Sequence, residues 1–245
     1  MAHAQESTGG AWSGVENVYA HHLTRLLQHW APAPDEALDL DPGPVAITCL
    51  GTAGDRRYVG MVERADIGAP LATVAAVLDD LDHFKDLFPD VLSVQVLPGG
   101  LPGARFATAW RQRAPIAFLP DVEYEMSHLV DKASPMRVVY RYKLRRGDKL
   151  IASDGMVVLE ATRRQTTRYT EYDFFNGHWG PLPAWLVWRE SLRAAFHSSL
   201  AIKLKAENPA WSYVRIAAEA KRATSAHSEQ LDRCFAERRD VVLKP

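Results

Sequence analysis

Alternation of apolar and polar residues dominates the middle of the chain. Over residues 121–130 the apolar or aromatic side chains at every second position alternate with Asp121, Glu123 and Glu125. Residues 136–144 alternate in the same way, with basic residues on the polar face. A period of two is typical of a strand with one covered and one solvated face. With turn signals between such runs, residues 91–176 are predicted to form an antiparallel meander whose acidic row pairs with the next strand's basic row.

Helical patterns flank this strand-rich region. Apolar residues at three- and four-residue spacing after Pro70 predict a helix over about residues 70–81. A longer stripe predicts a helix from about Pro183 to Ala206, and further helices are expected over residues 15–30 and from Asn208 onward. The broad apolar face of the long helix contains Trp185, Trp188, Leu192 and Phe196.

Two predicted loops are unusually apolar. One runs from Pro115 to Pro120 between two predicted strands, and the other is "NGHWGPLP" before the long helix. An ordinary hairpin turn would be polar and rich in Gly, Asn or Asp. Exposed apolar loops are costly unless they cover a cavity, a membrane or another protein. We therefore expect Ile116, Phe118 and Trp179 to contribute to such a cover.

The order of these elements resembles the START/Bet v 1-like (SRPBCC) superfamily. The resemblance rests on "VERADIGAPLATVAAVLDDLDHFKDLFPDVLSVQVL" and on "GHWGPLPAWLVWRESLRAAF", and it covers about residues 57–206. The preceding helix and strand make the chain more similar to a START domain than to the shorter members. This resemblance implies an α+β helix-grip fold: a curved antiparallel β-sheet wrapped around a long C-terminal helix, with extra N- and C-terminal helices.

The implied organisation is one ligand-binding domain with additions at both ends. Residues 1–14 are expected to be frayed, and residues 15–206 to form the START-like domain. Residues 207–245 are expected to add a helix that packs on or beside that domain.

The resemblance also implies a ligand tunnel between the concave sheet and the long helix, with the two apolar loops as its lid. The residues expected to contact the ligand are inward-facing strand residues, loop residues and the apolar face of the helix. They are Phe106, Trp110, Ile116, Phe118, Tyr124, Met126, His128, Tyr140, Tyr142, Trp179, Trp185, Trp188, Leu192 and Phe196.

Two polar residues within the strand pattern have alternative interpretations. His128 shares the apolar face of its strand, where a neutral imidazole either contacts a ligand hydroxyl, moves a proton, or is satisfied by a neighbouring tyrosine or backbone group. Asp154 and Gly155 interrupt a strand-like run, which indicates a bulge or an edge irregularity. An inward-facing Asp154 would require a cationic partner or a polar group of the ligand.

Composition and motifs exclude several functional classes. The 29 Lys and Arg residues balance 30 Asp and Glu residues without a basic block, so nucleic acid is not an expected partner. Cys49 and Cys234 lack metal-ligand spacing, although one long-range disulfide remains open. Motifs for hydrolysis and phosphoryl transfer are also missing, so we assign no catalytic residue. We expect neither a metal nor a cofactor.

Three functions fit this interpretation. The first is a noncatalytic carrier or sensor of a hydrophobic small molecule, a lipid such as a sterol or isoprenoid, with transient membrane contact through the apolar loops. The second is a polyketide aromatase/cyclase, which resembles the same superfamily and would need His128 with a tyrosine or Asp154 converging deep inside. The third is a partner-docking module whose cavity is filled by side chains.

The expected location follows from the lack of targeting signals. No window approaches the roughly 20 apolar residues of a membrane span, and the first residues lack a signal-peptide pattern. A soluble cytoplasmic protein is the default expectation. Ala2-His3-Ala4 has the small-x-small form that precedes a cleavage site, so export is the alternative if a signal peptide was removed before Ala2–Gln5.

Overall fold

The computed structural model describes residues 44–53, 58–100, 104–114, 116, 119–177, 182–237 and 239–241. The frayed segment 1–14 and the helix predicted over residues 15–30 lie outside the described residues, as do Phe118 and Trp179.

A curved, open, antiparallel sheet forms the main layer of the fold. Within the described residues its strand order is β3-β4-β5-β6-β7-β8-β2-β1-β9, where only the short last strand is parallel to its neighbour. The predicted meander is confirmed, because β3 to β8 follow one another both along the chain and across the sheet. The strands are β1 (Ala46–Ala53), β2 (Tyr58–Ile67), β3 (Val91–Val96), β4 (Arg105–Gln112), β5 (Val122–Ser134), β6 (Arg137–Gly147), β7 (Leu150–Ala161), β8 (Thr167–Gly177) and β9 (Arg239–Val241).

The predicted pairing of charged rows between β5 and β6 is wrong. Glu125 lies opposite Arg146 and forms a 2.5 Å ion pair with it, whereas Arg141 lies opposite Leu129. Both strands extend beyond their alternating runs, and the turn between them is at Ser134–Arg137. The acidic start of β5 therefore lies beside the far end of β6.

The long helix packs against the concave face of the sheet, and the two helices that follow it pack against the long helix. Pro183 precedes the long helix as predicted, and the Asn208 side chain and backbone N–H both donate to the Leu204 carbonyl at its end. Every helix within the described segments is too short or too polar to span a bilayer. The helices are α1 (Leu71–Asp79), α2 (Phe84–Leu87), α3 (Ala184–Glu207), α4 (Tyr213–Ala226) and α5 (Ser228–Ala236), with one 3-10 turn at Leu81–His83.

The C-terminal addition is two helices rather than the single helix expected from Asn208. Ser212 caps α4 by accepting from the Arg215 N–H at 3.3 Å, and the chain bends at His227 before α5. A disulfide between Cys49 and Cys234 ties α5 to β1, with 5.6 Å between the two Cα atoms. This bond answers the question that the cysteine spacing left open.

Candidate functional site

A cavity of about 700 Å³ lies between the concave sheet and α3. The α1–α2 segment and strands β4 to β8 form most of its wall, and the side chains there are mainly aliphatic or aromatic. One group of its polar residues lies on three strands: His128 on β5, Tyr142 on β6, and Tyr169, Glu171 and Asp173 on β8.

The strand residues predicted to contact a ligand all border this cavity. The two predicted loops are less fully described: Ile116 is half-buried and not part of the cavity wall, but Arg113 and Val122 on either side of its loop are. Phe118 and Trp179 lie outside the described residues. Contact with a ligand stays a prediction for the wall residues Phe106, Trp110, Tyr124, Met126, His128, Tyr140 and Tyr142.

The four helix residues predicted to contact a ligand are not among the described residues of the cavity wall. Leu192 and Phe196 are buried in the core, and the Phe196 ring packs edge-on against His227, with 5.7 Å between ring centroids. Trp188 packs against the same core, and Trp185 is 50% exposed. Since α3 is covered by the sheet on one side and by α4 and α5 on another, apolar residues occur on more than one face. The cavity is bordered instead by smaller residues of α3, namely Ser191, Ala194, Ala195 and Ser198, together with Ile202.

His128 is held by a buried threonine. Its Nε2 atom lies 2.7 Å from Thr108 Oγ1, and the Trp110 indole N–H donates to the same oxygen at 2.6 Å. The threonine hydroxyl accepts from the indole, and the tautomer of the imidazole sets whether it donates to Nε2 or accepts from it. Burial lowers the pKa of His128 to about 4, so the imidazole is neutral at physiological pH. The ring also stacks on Phe106 at 4.7 Å.

Three carboxyl groups meet at the β2–β8 side of the site. Glu63 on β2 lies directly opposite Glu171 on β8 in the antiparallel register, and Asp173 follows on the same face of β8. Tyr142 donates to Glu171 Oε1 at 3.0 Å, and the Tyr169 hydroxyl donates to Glu171 Oε2. Ser199 of α3 donates to Glu63 Oε2. Glutamates this close in a buried sheet position repel each other unless one is protonated.

Burial raises the pKa values of these three carboxyl groups. It raises the pKa of Glu63 well above its usual range, and the charges of Glu171 and Asp173 add to that effect. Burial and the charge of Glu171 together raise the pKa of Asp173 to about 7. Burial raises the pKa of Glu171 as well, but hydrogen bonds from Tyr169, Tyr142 and Ser199 lower it. Because Glu63 has only the bond from Ser199, we assign the negative charge to Glu171 and a proton to Glu63.

Gly155 makes room for this cluster. Phe106, His128, Tyr142, Gly155 and Asp173 are consecutive partners across five neighbouring strands, β4 to β8. Since residue 155 has no side chain, the Tyr142 ring crosses β7 and reaches the carboxylate on β8.

The predicted bulge or edge irregularity at Asp154 is wrong. The pairing of β7 with both neighbours is regular there, and Asp154 lies opposite Lys143. Because residues alternate between faces, Asp154 is on the other face of the sheet from Gly155 and does not face the cavity. Burial raises its pKa to about 7, while the charge of Lys143 lowers it.

Comparison with known proteins identifies the architecture. Human STARD10 superposes with a TM-score of 0.51 at 13% identity, over 83% of this chain and 83% of that one. A STAR-related lipid transfer protein from Xanthomonas axonopodis gives 0.47 at 15% identity, over 78% of this chain and 96% of that one. The Zhui aromatase/cyclase of a Streptomyces species gives 0.49 at 15% identity, over 67% and 94%. No protein-family model matches the sequence, and no curated protein matches it.

The chain has the START-type helix-grip fold. The cavity described above is therefore the space between the sheet and the gripping helix of that fold. Within the part of the chain that the structure describes, no group of three His, Cys, Asp or Glu residues could hold a metal ion.

The sequence analysis missed Glu63, Tyr169, Glu171 and Asp173. A signal for the β8 residues was present, because Tyr169, Glu171, Asp173 and Phe175 alternate on one face that begins and ends with an aromatic residue. Glu63 gives no such signal by itself. Its burial depends on the pairing of β2 with β8, which are distant in sequence.

Proposed function

We propose that this START-fold protein binds a hydrophobic small molecule between the sheet and α3, and carries or senses it. The observation that supports the proposal is the cavity itself: about 700 Å³ bordered mainly by aromatic and aliphatic side chains. Pockets of this size and character are typical small-molecule sites. A cavity left open by the side chains is the opposite of what the partner-docking hypothesis requires.

A lipid such as a sterol or isoprenoid is the proposed ligand class. Its apolar body would be held by the release of water from its surface, at roughly 25 cal/mol per Å² of apolar area. The wall offers flat aromatic surfaces for this contact, including the stacked pair Trp110 and Tyr124, whose ring centroids are 5.9 Å apart. The loop between Arg113 and Val122 is the proposed entrance and the proposed place of transient membrane contact.

Native mass spectrometry of protein purified without added lipid tests this proposal. A retained molecule adds a defined mass to the folded protein, and solvent extraction then identifies its class. Displacement of the neutral dye Nile red by sterols, isoprenoids and fatty acids covers the case of a ligand lost during purification. A protein that carries no molecule and binds none of these would contradict the proposal.

A matched pair of variants assigns the binding to the cavity. Ala194→Phe places a large side chain in the cavity from the wall formed by α3, whereas Ala218→Phe makes the same change at an exposed position of α4. We expect Nile red binding to be lost in the first variant and kept in the second. Equal binding by both variants would place the dye elsewhere.

Aromatase/cyclase-type chemistry is the second candidate, and the convergence of polar groups favours it. An intramolecular aldol cyclisation needs a base to remove a proton next to a carbonyl and an acid to protonate the resulting alkoxide. Asp173, whose pKa is about 7, could perform the first step. Incubation with a poly-β-ketone thioester tests this: a cyclised product that differs from the spontaneous one, and is lost in Asp173→Asn, would support catalysis.

A further inference from the structure

The part of the cavity wall around Glu171 and Asp173 offers hydrogen-bond acceptors. Its aromatic donors already form hydrogen bonds within the protein. The four tyrosines that border the cavity all donate their hydroxyl protons within the protein: Tyr124 to Gln112, Tyr140 to Asp79, and Tyr142 and Tyr169 to Glu171. The Trp110 N–H is likewise used by Thr108. A ligand group near Glu171 and Asp173 therefore meets carboxylate acceptors and tyrosine hydroxyls that already donate within the protein.

Glu63 Oε1 also lacks a hydrogen-bond partner among the described residues, but Glu63 is not one of the described wall residues, so Asp173 is the residue with free hydrogen-bonding capacity at the cavity. It borders the cavity, it is surrounded by protein, and its Oδ1 atom has no hydrogen-bond partner among the described residues. Most buried carboxylate oxygens are hydrogen-bonded or paired with a cation, because an unpaired one is costly. The unpaired atom belongs to a side chain that borders the cavity, which makes a polar group of a ligand the natural partner of this carboxylate.

Basic residues of the cavity wall are committed to other acids. Among the described wall residues the basic ones are Arg113 and Lys132. Lys132 forms a 2.5 Å ion pair with Asp79, and the charge of Arg113 acts on Asp90. His128 is neutral. The acidic group of Glu63, Glu171 and Asp173 thus has no cationic side chain of the wall directed at it.

We propose that the cavity binds an amphiphile with a protonated amine, and that its ammonium group donates to the carboxylate of Asp173 beside Glu171. This inference rests on the proposed function and names its ligand class. An ammonium group supplies only donors, which matches a wall of acceptors, and it neutralises the acidic cluster. The ring of Tyr142 at the same place adds cation–π attraction. A fatty acid would bring a further negative charge to this cluster and is disfavoured.

The pH dependence of binding separates an amine from a neutral ligand. The side chains that shift the pKa of Asp173 are Glu171 on its own strand, Tyr142 on β6 and Asp154 on β7. The charge of Asp173 in turn raises the pKa values of Glu63 and Tyr124. An ammonium group needs the ionised form of Asp173, so its affinity rises as the pH increases from 5 to 8. A ligand carbonyl that accepts from protonated Asp173 would show the opposite trend.

The test compares three probes of equal chain length, dodecylamine, dodecanol and dodecanoate, by displacement of Nile red from the full-length protein. We expect dodecylamine to bind at least about tenfold more tightly than dodecanol at pH 8, as a charge-assisted hydrogen bond allows. Asp173→Asn should remove that preference, and Glu171→Gln should reduce it. Glu229→Gln changes an exposed carboxylate of α5 that is not among the described wall residues and should leave the preference intact.

The possible results distinguish a failure of the amine assignment from a failure of the proposed function. If none of the probes displaces Nile red, and the dye itself does not bind, the proposed function fails. If dodecanol or dodecanoate binds as tightly as dodecylamine at pH 8, the cavity binds amphiphiles but the amine assignment is wrong. An affinity of the wild-type protein for dodecylamine that falls with rising pH would overturn the inference even if the Asp173 variant does not fold.

Discussion

The phenol ring of Tyr142 lies across the backbone of Gly155 on the neighbouring strand. A Cβ atom at residue 155 would overlap the hydroxyl and the ring carbons of Tyr142, which are its nearest neighbours. Through this gap Tyr142 reaches Glu171 and donates to it at 3.0 Å. A missing side chain on β7 thus connects a residue of β6 to a carboxylate of β8.

The first prediction concerns this gap. Gly155→Ala should force the Tyr142 ring out of place and lower the free energy of unfolding by about 2 kcal/mol, as overpacking of a core does. In a Tyr142→Ala background the added methyl group has space, and the same substitution should cost much less. Urea unfolding of the two single variants and the double variant measures this coupling. Equal costs of Gly155→Ala in both backgrounds would show that the ring is not the obstacle.

The second prediction concerns pH and Asp173. Its pKa is about 7 in the folded protein and about 3.9 in an unfolded chain, so the protonated form favours folding. The stabilisation is complete below about pH 4 and is lost as the pH rises through 7, at a cost of up to about 4 kcal/mol. Asp173→Asn cannot ionise and should gain stability relative to the wild type between pH 4 and pH 8.

Urea unfolding at a series of pH values measures that difference. His128 has the opposite dependence, because its pKa is lowered to about 4 and its protonation on acidification opposes folding. It is present in both proteins and cancels in the comparison. Asp82→Asn, at an exposed position, is the matched control. A stability difference between Asp173→Asn and wild type that does not vary with pH would contradict the assignment.

The third prediction concerns the disulfide. Cys49 and Cys234 are separated by 185 residues, and a loop of that length gives a stabilisation of about 5 kcal/mol in the chain-entropy model. Reduction should therefore lower the free energy of unfolding by several kcal/mol and increase proteolysis between α4 and α5, near His227. The double variant Cys49→Ala/Cys234→Ala should be equally destabilised and no longer respond to dithiothreitol. A wild-type protein that is unaffected by reduction would contradict the prediction.

The fourth prediction concerns Thr108, whose hydroxyl serves two buried partners. Thr108→Val keeps the shape of the side chain but leaves the His128 Nε2 atom and the Trp110 N–H without a hydrogen bond. We expect a loss of about 2–4 kcal/mol in stability, because each orphaned buried group costs about 1–3 kcal/mol. Thr108→Ser retains the hydroxyl and should cost clearly less. If valine and serine are equally tolerated, the threonine hydroxyl does not hold His128.

Strand alternation gave a good prediction of one wall of the site. Tyr124, Met126 and His128 share a face of β5 because side chains alternate with a period of two, and they border the cavity together. Helical spacing was less informative for α3. A helix covered on two sides has apolar residues in more than one direction, so spacing alone did not distinguish Phe196 in the core from Ala195 at the cavity.

The sequence by itself determined the strands, the long helix and their order, because these depend on local periodicity and on prolines at helix starts. The tertiary structure decided what those elements bring together. Glu63 and Glu171 become neighbours only through the pairing of β2 with β8, and Cys49 meets Cys234 only when α5 packs beside β1. The acidic part of the cavity is likewise a product of register between distant strands, and no local pattern encodes a register of that kind.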